Sequence, residues 1–310
     1  MEKLALCIPA YNAEEYLSRL LTSAKSQNIQ FDEILVYNDC SDDNTAKIAE
    51  EYGAILLNGK VNKGCSFGKN EMAKYTKCEW IHFHDADDDL MPDFTELVHN
   101  WIKNYGNRYE VLLLNYKYVD FATKQVLGFG NYNVTELHKD ALRYAINNKI
   151  VNFGVYNKAA FLKAGGFDLD EYVLYNEDNA FHQHLGKQGY RFDYLPEITC
   201  INYRYNKSMS SSNSLKCAIA NYYVLAKTAT SHGSKYPFEL SKQLWICVDM
   251  LAAHQCWIYV RKALVLSEKL GNTYNQPGNF IFKVIVKANP FWAIWLREKI
   301  IRTFKPYLRK

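Results

Sequence analysis

Over its first ninety residues the chain alternates short apolar stretches with helical ones, and that alternation limits the folds open to it. Residues 4–8 read as a short buried strand that Pro9 stops. Helical spacing follows from Asn12 or Ala13, with Leu17, Leu20, Leu21 and Ala24 on one face. Residues 33–37 read as a second strand. A polar turn over 38–44 comes next, where Ser41 or Asp42 is placed to cap a helix over 45–52. Residues 54–57 form a third strand. A loop centred on Asn62, Lys63 and Gly64 leads into a helix ending near Tyr75, and 80–83 is a fourth strand. Strands alternating with helices of about ten to fifteen residues build a parallel α/β sheet with right-handed crossovers. Ligands of such sheets bind outside the carboxyl ends of the strands. Three polar loops therefore meet on one edge: 9–15, 38–43 and 85–89. Beyond Pro92 the pattern predicts a helix over 94–105, a strand over 111–116, a mixed region to about 207 and a mostly helical region from about 214 to 272.

The loop after the fourth strand is the most chemically pointed. The run Asp85-Ala86-Asp87-Asp88-Asp89 holds four carboxylates in five residues. Like charges this close repel one another and suit a hard divalent cation, which binds carboxylate oxygens and is commonly shared with substrate phosphates. The bland alternative is a solvated acidic loop. Composition narrows the partners. With 310 residues and 48% hydrophobic content the chain can bury a full core, and its net charge of +4 gives no reason to expect nucleic acid. Eight scattered cysteines without a Cys-x-x-Cys pair signal neither a zinc knuckle nor a redox motif, and fit a reducing compartment. The N-terminal stretch has no basic region followed by a long apolar one, which argues against a secretory signal. The longest apolar window, 244–260, is interrupted by Asp249, His254 and Gln255, so no transmembrane helix is expected. A cytoplasmic location follows. The 24 tyrosines are compatible with carbohydrate binding.

Several segments in order resemble glycosyltransferase family 2, the inverting family with the GT-A fold. Ile8-Pro9-Ala10-Tyr11-Asn12 is similar to the family's opening strand and loop, and Val36 to Thr45 to its second loop. Asn62-Lys63-Gly64 with Gly68-Lys69-Asn70 is similar to its Asn-x-Gly and basic-Asn segment, and Asp85-Ala86-Asp87-Asp88 to its metal motif. Gly165-Gly166-Phe167-Asp168, Glu177-Asp178, Tyr203-Arg204 and Ser208-Met209-Ser210 follow the order of the family's acceptor half, so the resemblance runs over about residues 4 to 212. Three positions depart from the pattern. Cys40 stands at a usual Gly and suggests a different turn conformation, Met72 replaces a common Gly, and Asn206 stands where many members carry a His.

The resemblance implies a GT-A fold: α/β, Rossmann-like, with a mostly parallel central sheet flanked by helices, over residues 1–212, and a helical C-terminal extension over 213–310. Residues 1–105 would form the nucleotide-binding half and 106–212 the acceptor half. It implies transfer of a sugar from a nucleotide diphosphate, with UDP favoured, to a hydroxyl of a glycan or lipid-linked glycan in cell-envelope polysaccharide synthesis. Asp87 would hold Mn2+ or Mg2+, and Asp85 would orient the sugar or ribose. Ala86 falls within the same nucleotide-binding set. Asp88 would hold a metal-bound water or cap the next turn, and Asp89 reads as a surface acid. Tyr11 would stack on the base, with a core tyrosine as alternative. Pro9 and Ala10 would offer backbone contacts. Asp39 would accept from the N3–H of uracil, a donor that cytosine lacks. Lys69 would pair with the nucleotide, with an exposed helix lysine as alternative. Arg204 and Lys207 would neutralise the diphosphate. Asp178 would take the acceptor's proton, with a helix-capping acidic pair Glu177-Asp178 as a compatible alternative. His82 and His84 read as satisfied structural residues, and His182 and His184 lack metal-ligand spacing.

From 280 to 310 eight bases stand against the single acid Glu298, interleaved with large apolar residues. That pattern suits an anionic membrane surface, or equally a helix packed on the catalytic domain with a solvated basic face. Two rival functions remain open. A sugar-nucleotide nucleotidyltransferase would open with a Gly-rich, Arg-containing loop, which Pro9-Ala10-Tyr11-Asn12 lacks. A silent nucleotide-sugar-binding module would have little use for both Asp87 and Asp178.

Overall fold

The computed structural model describes residues 2–151, 153–205, 213–271 and 277–309. Two compact units emerge from it. The first comprises 1–145, 150–169 and 177–208, and the second 146–149, 170–176 and 209–310.

In the first unit the order is β1 (Leu4–Ala10), α1 (Leu17–Lys25), β2 (Glu33–Asn38), α2 (Thr45–Glu51), β3 (Ile55–Asn58), α3 (Cys65–Tyr75), β4 (Trp80–Phe83), β5 (Asp89–Leu90) and α4 (Phe94–Tyr105). Then come β6 (Val111–Asp120), β7 (Val126–Phe129), α5 (Val134–Lys139), α6 (Ala141–Asn147), β8 (Gly154–Asn157), α7 (Lys158–Ala164), α8 (Glu177–Lys187) and β9 (Phe192–Arg204). The sheet runs β3-β2-β1-β4-β8-β6-β9-β5, with β7 on β6. From β3 to β4 every pairing is parallel, as the alternation requires. Past β4 the sheet is mixed, because β8 enters antiparallel to both β4 and β6. β1 is buried along its whole length, so it reads as an uninterrupted apolar run. Pro9 does not stop it as expected: β1 keeps its register with β2 through Pro9 and Ala10, while its pairing with β4 ends at Cys7 and Phe83, so that second ladder asks nothing of the missing N–H.

The second unit holds a 3-10 turn at Glu171–Asn176, then α9 (Ser214–His232), α10 (Pro237–Ala253), α11 (Trp257–Lys269), α12 (Phe280–Ala288), α13 (Pro290–Phe304) and a 3-10 turn at Pro306–Arg309. Leu244, Trp245, Val248, Leu251 and Val260 are among its buried residues.

One expected helix start moves and one expected cap is not made. α1 begins at Leu17, because residues 13–16 form turns in which Tyr16 and Leu17 both donate to the Ala13 carbonyl. At α2 neither Ser41 nor Asp42 caps the helix. Ser41 Oγ accepts from Asn12 N at 3.0 Å and Asp42 N donates to Asn12 Oδ1 at 3.0 Å, so both tie the first two loops together.

The Gly68-Lys69-Asn70 segment has a packing role on either side of its lysine. A Cβ on Gly68 would lie 2.7 Å from the Tyr37 ring, so α3 sits directly on β2 there. Asn70 donates to Phe167 O at 2.9 Å and accepts from Phe167 N at 2.8 Å. That bridge leaves no room beside Gly166, whose φ is +75° and whose added Cβ would meet Asn70 Oδ1 at 2.3 Å. Asn70→Ala is expected to destabilise the protein by roughly 1–3 kcal/mol, because two buried backbone groups lose their partners. Gly166→Ala should cost at least as much. Thermal unfolding measures both, and an unchanged Tm for either would contradict this packing.

Candidate active site

The acidic loop leaves β4 with His84 N donating to Cys7 O and closes with Asp88 N on Asp85 O at 3.2 Å. Its four carboxylates divide into two pairs. Asp88 and Asp89 are buried and fully engaged. Asp88 accepts from Asn202 Nδ2 at 2.7 Å and Tyr203 N at 2.8 Å. Asp89 pairs with Arg19 Nε at 2.9 Å and accepts from Tyr203 Oη at 3.1 Å. Asp89 is thus not the surface acid expected, and Asp88 binds β9 rather than capping a turn. Asp85 and Asp87 are only part-buried.

Arg19 is the site residue that the sequence reading passed over. Its Nη2 donates to Asp87 O at 2.6 Å and to Tyr205 Oη at 3.2 Å, and its guanidinium lies 4.3 Å from the Tyr203 ring centre. Ser23 Oγ accepts from Leu90 N, and Gln27 donates to Met91 O and accepts from Thr95 N. Arg19, Ser23 and Gln27 recur every four residues, so one polar stripe grips the chain from 87 to 95. That spacing was readable, but polar residues beside an apolar stripe ordinarily mean solvent.

Burial and the charge of Asp85 push the Asp87 carboxyl up to about 6. Asp88 is also pushed up, by burial and then by Asp87 and Asp85. A carboxylate desolvated beside another of its kind is short of a cation, so the oxygens of Asp87 and Asp85 fit a hard divalent ion.

The other two loops form the neighbouring floor. Asp39 is buried, and its two oxygens accept from Lys63 N at 2.9 Å and Gly64 N at 2.7 Å. Asp39 N donates to Ala10 O, at the end of β1 beyond Pro9. Tyr11 follows at 50% exposure, which sets aside the core-tyrosine alternative. Ala86 is buried in the acidic loop. Cys40 takes φ +63°, the left-handed conformation that glycine favours. The residue adopts that conformation at roughly 1–2 kcal/mol of strain.

Glu177 and Asp178 occupy the first turn of α8, where the helix dipole favours negative charge. Lys69 Nζ lies 3.8 Å from Asp85 Oδ1, 3.9 Å from Glu177 Oε1 and 3.8 Å from Asp178 Oδ1. Lys69 is fully buried, which rules out the exposed-lysine alternative. Cys65 Sγ donates to Glu177 Oε1 at 3.4 Å. Asp85, Lys69, Glu177 and Asp178 thus converge from three distant segments.

Arg204 stacks 4.2 Å from the centre of the Tyr118 ring. Asn206, Lys207 and Ser208-Met209-Ser210 lie outside the described residues. His182 bridges Asp178 O and Tyr156 Oη, and burial pushes it down to about 4, so it is a neutral strut. His184 binds Ala164 O. His82 engages Gly154 O and His84 Nδ1, but the buried Nε2 of His84 has no hydrogen-bond partner among the described residues, so His84 is not fully satisfied as expected.

Residues 5–164 match the profile of the family described as Glycosyl transferase family 2. EpsH of Bacillus subtilis is 31% identical over 117 residues, which is 36% of this chain and 33% of that protein. The chain thus spans about a third of the length of that relative. The S. aureus TarS fragment in complex with UDP-GlcNAc superposes with a TM-score of 0.70 at 17% identity, over 97% of this chain and 92% of that one. A mannosyltransferase from Pyrobaculum calidifontis in complex with GDP-Man and Mn2+ gives 0.57 at 13% identity, over 98% and 87%. At these identities the two likenesses are of fold. The fold is GT-A, with a helical C-terminal part.

Because the folded pKa of Asp87 is raised, its charge penalises the native state above about pH 6, and the penalty lifts as pH falls towards about 4. In metal-free protein, Asp87→Asn should raise Tm at about pH 7.5 by about 2–4 °C, the shift for roughly 1 kcal/mol in a domain of this size. At about pH 4 the gain should vanish. Manganese should stabilise the wild type and not the variant. Scanning fluorimetry reads both, and a pH-independent gain or equal stabilisation by manganese would contradict the assignment.

Proposed function

Because the chain belongs to glycosyl transferase family 2, we propose that it is an inverting glycosyltransferase that moves a sugar from a UDP-sugar to a hydroxyl of a glycan or lipid-linked glycan, in cell-envelope polysaccharide synthesis. The observation that carries this reading is the meeting of the strand-end acids with the α8 acids around Lys69. It sets a candidate donor-side carboxylate, Asp85, and a candidate acceptor-side carboxylate, Asp178, against one ammonium.

On the donor side, Tyr11 offers an exposed ring to the base, and Pro9 and Ala10 offer backbone. Each Asp39 oxygen already accepts one N–H, and each keeps a second lone pair for the N3–H of uracil. Asp87, with Asp85 beside it, would hold Mn2+ or Mg2+. The bound ion supplies Lewis-acid stabilisation of charge on the leaving diphosphate. Arg204 adds a cation to the same end. On the acceptor side, Asp178 accepts the proton of the attacking hydroxyl. The new bond forms between that oxygen and C1 of the sugar. The C1–O–phosphate bond breaks with its electron pair going to the diphosphate, and displacement from the opposite face inverts C1.

The C-terminal tail supports contact with a membrane surface. α13 buries Ala293, Ile294 and Glu298, and Glu298 pairs with Arg309. α12 buries none of its residues, leaves Phe280 80% and Ile281 68% exposed, and carries Lys283 and Lys287. An uncovered apolar helix with lysines suits anionic headgroups. No described helix is long and apolar enough to cross a membrane.

With manganese and a panel of nucleotide sugars, turnover should be metal-dependent. Asp178→Asn should lower it by about 10²–10⁴-fold while UDP affinity holds, and Asp87→Ala should remove the effect of metal on UDP binding. Full transfer by Asp178→Asn would overturn the base assignment. In vesicle sedimentation, binding to phosphatidylglycerol over phosphatidylcholine should be lost in Ile281→Glu. Equal binding by the variant would refute the role of α12.

A further inference from the structure

The mechanism above leaves Lys69 without a role of its own, although its surroundings are unusual. Its ammonium is fully enclosed and makes no hydrogen bond among the described residues. The distances of 3.8–3.9 Å to Asp85, Glu177 and Asp178 are those of ion pairs, longer than hydrogen bonds. Its Nζ lies 4.9 Å from the Phe167 ring centre. On either side, Gly68 presses on Tyr37 and Asn70 is locked to the Phe167 backbone, so the helix that carries Lys69 cannot slide. Burial opposes the charge, but the carboxylates of Asp85, Asp178 and Glu177 outweigh it and hold the lysine protonated.

We propose that Lys69 is a positioning residue: a buried counter-ion shared by Asp85 on the donor side and by Glu177 and Asp178 on the acceptor side, which fixes the spacing of the two halves of the reaction. The proposal rests on the reading that Asp178 takes the acceptor's proton. Lys69 presents no surface to solvent, so it acts on the reaction through the carboxylates and not by touching the nucleotide. Ion-pair contact at 3.8 Å ties the place of Asp178 to that of Lys69. Three carboxylates against one ammonium leave the cluster net negative, which favours the positive character that builds on the sugar ring.

A thermal double-mutant cycle tests this without any substrate. Lys69→Met should lower Tm, since it leaves three part-buried carboxylates without their shared cation. Adding Asp178→Asn to Lys69→Met should recover part of the loss, whereas Asp178→Asn alone should not raise Tm. Strictly additive shifts would overturn the proposal. If Lys69→Met does not fold, the variant that also carries Asp178→Asn and Glu177→Gln should, and its failure would overturn the proposal equally. In turnover, Lys69→Met should cut kcat by about ten- to a hundred-fold with donor KM and UDP affinity within about two-fold. A loss of UDP affinity with kcat preserved would instead make Lys69 a nucleotide contact. Absence of turnover in the wild type would defeat the glycosyl-transfer reading while leaving the thermal cycle to decide on Lys69.

Discussion

Four carboxylates in five residues can close a strand of a buried sheet only if cations and donors are built in around them. Arg19 and Lys69 supply the cations from opposite sides. Arg19 takes Asp89 and the backbone at Asp87, and Lys69 takes Asp85. Asn202 and the Tyr203 backbone satisfy Asp88. Breaking one member of a buried ion pair costs about 3–5 kcal/mol, because a stranded charge remains. The second half of the acidic loop is therefore structural. The anchors Asp88 and Asp89 hold Asp85 and Asp87 side by side, which is where the proposed divalent ion would sit.

The same economy appears at the start of α8. α8 begins with Glu177 and Asp178, so its own dipole favours their ionised forms. One turn later His182 ties the Asp178 carbonyl to Tyr156 in the core. α3 faces both sets of acids, with Gly68 giving close contact to β2 and Asn70 fastening the Gly165-Gly166-Phe167 loop. Motif residues that look like a binding signature in one dimension therefore prove to be a joint between a helix and a distant loop.

How much of this the sequence discloses depends on the range of the interaction. α4 falls at 94–105 as periodicity predicts, and α3 ends at Tyr75, because helix signals are local. The four parallel strands are legible for the same reason. The mixed half is less so, since β7 and β8 have four residues each and take their direction from partners far along the chain. The Arg19–Asp89 pair spans seventy residues and leaves no local pattern, so Asp89 reads as solvated when it is buried. The left-handed φ of Cys40 is hidden in the sequence for another reason. Residue type sets the cost of a left-handed φ but does not forbid it, and the loop around it imposes the turn regardless.

The central claim is that Asp87 holds a divalent ion for a nucleotide diphosphate while Asp178 faces the acceptor. A crystal of the full chain soaked with manganese and UDP, with data collected at the manganese edge, tests it most directly. The account predicts an anomalous peak bonded to an Asp87 oxygen and to the diphosphate, with Asp178 free of the metal and Lys69 still between Asp85 and Asp178. A peak at Asp178, or UDP bound with no metal at Asp87, would contradict it.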